Sequence, residues 1–210
     1  MRVVYLHGFA SSPQSSKSQF FCGRFGELGV PCEIPQLDRG KFEDLTVSNQ
    51  LAVVDQAVRG EPVVLMGSSL GGYLAALYAG RHKNVERMVL LAPAFQFSSR
   101  WRNRYSAEEF DEWRRTGTRE FYHYKFQANR PLGYQFVEDS VQYDDEPDFA
   151  QPALILHGSR DEMVPVEVSE KFAASHANVR LKIVESGHAL TDVLETLWTE
   201  TAAFLGFQFR

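Results

Sequence analysis

Cysteine is scarce in this chain of 210 residues, with only Cys22 and Cys32, at a spacing that fits neither a Cys-x-x-Cys motif nor a metal-ligand pair. That excludes a cysteine-rich scaffold and a zinc site, and the expected state is two reduced thiols in a cytoplasmic protein. An excess of positive charge is also missing, since the formal net charge is −5. Nucleic acid and anionic membranes need a cationic surface that displaces counterions, so neither is an expected partner. No stretch approaches the roughly 20 apolar residues that span a bilayer. The amino terminus, Met1 to Gly8, has too short an apolar run for a secretory leader and no small-residue cleavage site, so the mature protein is expected to start here.

What is present is a hydrophobic content of 44%, enough for one domain with one core. Short β-branched runs alternate with longer amphipathic stretches, the pattern of βα units laying helices on a parallel sheet, so the class is α/β. Strands are expected at Val3 to Leu6, Pro31 to Ile34, Val63 to Met66, Met88 to Leu91, Ala153 to Leu156 and Leu181 to Val184. Their continuous apolar character suits strands covered on both faces. Apolar spacing of three and four predicts helices over Ser18 to Leu28, Leu45 to Val58, Leu70 to His82, Val166 to Ser175 and Leu190 to Leu205.

The alternation breaks between Phe95 and about Pro152, where no clean strand is evident and aromatic residues crowd in. A structureless loop of this length does not suit a compact domain, so residues 95–151 are read as a small, mainly helical insertion capping the strand ends. Ser106-Ala-Glu-Glu, a capping-box pattern, is expected to start one of its helices. Its aromatic rings could form a hydrophobic substrate pocket or the insertion's own core. Its arginines, Arg100 and Arg104 among them, could meet an anionic substrate, but interleaved acids favour a solvated helix surface. The acidic group Asp144, Asp145, Glu146 and Asp148 is likewise read as solvated.

Chemistry is most legible around Gly67-Ser68-Ser69-Leu70-Gly71. A buried strand passes here into a helix with no room for a loop, which forces Ser69 into a sharp turn with its hydroxyl exposed. Ser69 is therefore the expected nucleophile. Acyl transfer also needs donors where the carbonyl oxygen becomes negative. The backbone N–H groups of Leu70 and of Phe9, in the turn His7-Gly8-Phe9 after the first strand, are assigned that part. His7 is expected to brace this turn. The nucleophile needs an imidazole, and the imidazole a carboxylate, in the chain order serine, acid, histidine. His188, in the strand-end loop Ser186-Gly187-His188-Ala189, is the expected base, and Asp161 the expected acid in preference to Glu162. His82, His123, His157 and His176 are assigned surface or packing roles.

The sequence resembles the α/β-hydrolase superfamily across nearly its whole length. Tyr5-Leu-His-Gly-Phe-Ala-Ser-Ser-Pro with Lys17, and Gly67-Ser-Ser-Leu-Gly-Gly-Tyr, are similar to motifs of the small bacterial YqiA-type esterases. The resemblance implies an α/β-hydrolase fold of about six strands that begins at the oxyanion strand. It implies also a carboxylic-ester hydrolase using Ser69, Asp161 and His188 on a small ester or thioester, with no metal or organic cofactor. A thioesterase, a C–C or peptide-bond hydrolase on the same triad, or a non-catalytic binding domain are the other readings.

Overall fold

The structure, a computed structural model, describes residues 1–207. Its strands are β1 (Val3–Leu6), β2 (Cys32–Glu33), β3 (Val63–Ser68), β4 (Val85–Leu91), β5 (Thr118–His123), β6 (Ala128–Gly133), β7 (Ala153–Gly158) and β8 (Val179–Val184). The helices are α1 (Ser16–Glu27), α2 (Val47–Val58), α3 (Leu70–Arg81), α4 (Phe97–Arg104), α5 (Ala107–Thr116), α6 (Gln135–Ser140), α7 (Val166–Ser175) and α8 (Leu194–Leu205). Six strands pair in the order β2-β1-β3-β4-β7-β8, every neighbour parallel.

Side-chain alternation along the strands divides the core in two. Val3 and Tyr5 of β1, Val64 and Met66 of β3 and Leu154 and Leu156 of β7 face a layer holding Phe21 and Phe25 of α1 and Leu197 and Trp198 of α8. Val4, Leu6, Leu65 and Ile155 face the opposite layer, with Val54 of α2, Leu74 of α3 and Phe172 of α7. Each fully buried aliphatic or aromatic side chain contributes about 1.5–3 kcal/mol, so burial on both faces fixes these strands more firmly than hydrogen bonding alone. A parallel sheet carries all its strand exits on one edge, and the loops after β1, β3, β7 and β8 gather there.

Some expectations need correction. Residues 118–133 form an antiparallel hairpin, β5 with β6, within the segment expected to lack strands. Arg130 and Pro131 break the apolar pattern of β6, and proline counts against a strand reading although an edge tolerates it. The capping box at Ser106 is present: its Oγ accepts from the N–H of Glu109, whose carboxylate accepts from the N–H of Ser106. Helix α8 starts at Leu194, not Leu190, because Leu190 has a φ of 57° that cannot open a right-handed helix. Asp145 is not simply solvated: its carboxylate accepts from the N–H groups of Ser98 and Ser99 and so ties the start of α4 to the far end of the segment.

Cys22 on α1 and Cys32 on β2 are joined in a disulfide, with their Cα atoms 5.2 Å apart. This corrects the expectation of two reduced thiols and removes the support that cysteine usage gave to a cytoplasmic setting. Spacing of ten residues carries no recognisable motif, but the turn from α1 into β2 folds the second cysteine back onto the first. No helix among the described residues is long and apolar enough to cross a membrane.

Candidate active site

Ser69 stands between the last residue of β3 and the first of α3 with φ 53° and ψ −117°, a region that side chains other than glycine rarely occupy. Its neighbours hold it there. The Ser69 N–H donates to the Leu91 carbonyl at 2.9 Å, and its own carbonyl accepts from Gly72, Tyr73 and Ala94. Close approach explains the flanking glycines: a Cβ on Gly67 would collide with the Gly71 carbonyl, and one on Gly71 with the Leu6 carbonyl. The turn therefore presses against β1 and points the serine hydroxyl outward from the sheet edge.

His188 and Asp161 reach the same place from the loops after β8 and β7. His188 Nε2 lies 3.0 Å from Ser69 Oγ, and His188 Nδ1 lies 2.8 Å from Asp161 Oδ2. With the proton on Nδ1 donated to the carboxylate, Nε2 is left free to accept from the serine hydroxyl. Asp161 is buried, and its other oxygen, Oδ1, accepts from the N–H groups of Met163 and Val164 at 2.9 and 2.8 Å. Burial pushes the carboxyl up, but hydrogen bonds from His157, His188 and Val164 outweigh it and hold Asp161 well below the usual carboxylate range. Glu162 is exposed and among the described residues has no hydrogen bond or ion pair with His188.

His157 is the residue whose place the sequence reading undervalued. Fully buried, it accepts from Ser169 Oγ at Nδ1 (2.8 Å) and points Nε2–H at both the Val164 carbonyl (2.9 Å) and Asp161 Oδ2 (3.1 Å). The signal available was its place as the penultimate residue of β7, four positions before Asp161. The other histidines match their assigned roles. His7 donates from Nδ1 to the Gly8 carbonyl at 3.0 Å and accepts at Nε2 from the Leu37 N–H, while burial pushes its pKa down, which keeps it a neutral brace of the turn. His82 and His176 end α3 and α7, and His123 is packed against Phe42 and Phe126.

Phe9 and Leu70 line a cavity of about 250 Å³ together with Ser69 and His188. Among the described residues neither backbone N–H has an acceptor. Phe97, Trp101, Tyr105, Phe121, Tyr122 and Tyr124, from α4 and the hairpin, form the apolar wall. Other rings of the same segment serve its own core, with Trp113 and Phe136 buried and the Trp113 Nε1–H donating to the Leu132 carbonyl at 2.9 Å. Rings of the aromatic segment thus both line the cavity and pack its own core. No group of three or more side chains suited to holding a metal occurs among the described residues.

Solved structures share this architecture. A proposed hydrolase from Agrobacterium vitis S4 matches with a TM-score of 0.84 at 23% identity, over 97% of this chain and 87% of that one. Mouse alpha/beta hydrolase domain-containing protein 10 gives 0.81 at 18%, over 97% and 88%. The esterase Est1E of Butyrivibrio proteoclasticus, with ferulic acid bound, gives 0.74 at 23%, over 98% and 88%. At these identities the likeness is one of fold, and the fold is that of the α/β hydrolases. A search among curated proteins finds no match. The sequence matches the uncharacterised protein family UPF0227 from residue 2 to residue 205, nearly its whole length, and the chain belongs to that family.

Proposed function

We propose that this chain is a serine hydrolase that cleaves carboxylic esters through an acyl-enzyme. The observation that carries the reading is the continuous relay from Ser69 Oγ through His188 to Asp161, at 3.0 and 2.8 Å, opening into a cavity with an apolar wall. His188 Nε2 takes the hydroxyl proton as Ser69 Oγ attacks the ester carbonyl. The N–H groups of Phe9 and Leu70 receive the oxygen that becomes negative, each worth about 3–4 kcal/mol in the transition state. The imidazolium, steadied by ionised Asp161, passes its proton to the departing alkoxide, and the alcohol leaves. Water then gives its proton to the same Nε2, attacks the acyl-serine, and the acid departs as Oγ regains its proton.

Strain at Ser69 supports the same reading, because an unfavourable backbone is retained where it aims a functional group. A fluorophosphonate probe tests the proposal directly: folded wild-type protein is expected to be labelled at Ser69, and Ser69→Ala is expected not to be. Wild-type protein that stays unlabelled while folded overturns it.

A further inference from the structure

The cavity beside Ser69 carries an unbalanced charge. Its charged lining side chains are Arg100 and Arg104, with His188 as the one other titratable basic group and no aspartate or glutamate among the described residues. Both arginines lie on α4, one turn apart, and so share the face that meets the cavity. Neither guanidinium has an ion pair or a hydrogen bond among the described residues, and Arg104 has only the edge of an aromatic contact, 6.0 Å from the Tyr105 ring centre.

Elsewhere in the segment Arg102, Arg115 and Arg130 are exposed and without an ion pair among the described residues, and two arginines are paired. Arg114 pairs with Asp111 at 2.8 Å and Arg119 with Glu109 at 2.8 Å, both toward solvent. Acids thus pair with those two arginines, while none of the described residues lining the cavity beside α4 is an aspartate or glutamate. Arg100 is half-buried, and burial pushes its pKa down, offset in part by Asp161 and aggravated by Arg104. Asp161 cannot serve as its partner, since its oxygens already accept from His157, His188, Met163 and Val164. Two like charges one turn apart also disfavour the helix that carries them. Arg104 is exposed and Arg100 half-buried, and an anion between the two forks offsets their repulsion and gives the half-buried guanidinium a partner.

We propose that the substrate carries, beside its scissile ester, an anionic oxyacid group, a carboxylate or a phosphate, that Arg100 and Arg104 bind. A guanidinium presents paired N–H donors that match either group. This rests on the serine-hydrolase reading for the ester but not for the anion site. Substrate selection then follows from the spacing between the arginines and Ser69: a neutral ester fills the apolar wall and leaves the cations bare, whereas an anionic one satisfies both.

Two matched pairs of esters test it. The carboxylate arm sets the mono(4-nitrophenyl) ester of glutaric acid against 4-nitrophenyl pentanoate. The phosphate arm sets butyryl glycerol 3-phosphate against butyryl glycerol, followed by acid release. The expected result is that kcat/KM favours the charged member of at least one pair by tenfold or more, and that the ratio falls as salt rises. In Arg100→Gln/Arg104→Gln the ratio is expected to drop toward one, with Arg100→Lys in between. Calorimetric titration with glutarate and with glycerol 3-phosphate adds a readout independent of turnover: wild type binds at least one, and the double variant binds neither. Ratios near one in both arms, or a ratio that survives the double substitution, overturn the proposal. Binding of glutarate without any ester turnover would instead retain the anion site and count against the hydrolase reading.

Discussion

His157 Nε2 and Asp161 Oδ2 lie 3.1 Å apart in a fully buried contact, so the carboxylate oxygen that faces His188 is held from behind by a second imidazole. Ser169 Oγ in turn fixes the His157 tautomer by donating to Nδ1. Replacing His157 with Phe removes one donor to the charged carboxylate and strands the Ser169 hydroxyl. Stability is expected to fall by about 2–3 kcal/mol, read from urea unfolding. A packing role alone would stop there. A positioning role predicts also that the Asp161 carboxyl titrates higher than in wild type, because a hydrogen bond to its ionised form is lost. Carbon-13 NMR of labelled aspartate reads this, and an unchanged titration would restrict His157 to packing.

The choice between the two adjacent acids is open to a direct comparison. Asp161→Asn keeps the shape but removes the charge that steadies the imidazolium, and turnover is expected to fall by about 10²- to 10⁴-fold. Glu162→Gln, at an exposed site, is expected to stay within about threefold. Steady-state kinetics on a neutral ester measure both, and equal small losses would reject the assignment of Asp161.

Most of what positions this site was legible along the chain, and the exceptions have physical causes. The strands β1, β3 and β7 are apolar on both faces, so their runs stand out, and the glycines around Ser69 mark a turn with no space for side chains. His188 and Asp161 were expected from chain order and from their place after strands, and the structure brings both together with Ser69. The hairpin was hidden because β6 carries Arg130 and Pro131, which no strand pattern contains. The disulfide was hidden because pairing depends on how α1 packs beside β2, a tertiary fact with no spacing rule. Arg100 was masked because it was read together with the arginines after it, among which acids are interleaved from Glu108 onward, whereas in space Asp111 pairs with Arg114 and Glu109 with Arg119. His157 lacked only the knowledge that its strand aims it at Asp161.

The strained backbone of Ser69 makes a prediction of opposite sign for stability and activity. Glycine occupies φ 53° and ψ −117° without the clash that a Cβ brings. Ser69→Gly is expected to raise stability by about 1 kcal/mol, read from the denaturant midpoint, while abolishing turnover and probe labelling. A destabilised Ser69→Gly would mean that the turn stores no strain.

Lys17 gives a pH dependence that can be derived with its sign. It sits in the first turn of α1 with no hydrogen bond or ion pair among the described residues, and burial pushes its ammonium down to about 8, although Asp161 pulls the other way. In the unfolded chain the group titrates near 10.4. Between those values the unfolded state binds more protons than the folded one, so stability rises with pH across that window. Below about pH 8 the folded protein bears the full cost of a desolvated cation. Lys17→Met removes that cost, and at pH 7 it is expected to gain roughly 1–2 kcal/mol over wild type, discounted for partial exposure. As pH rises from 8 through 10.4 wild type recovers the same amount, and the difference between the two proteins shrinks toward zero. Unfolding midpoints of both at pH 7, 9 and 10.5 give the measurement. A gain independent of pH would assign the effect to the shape of the methionine side chain, and a loss at pH 7 would mean that the ammonium holds a stabilising contact with Asp161.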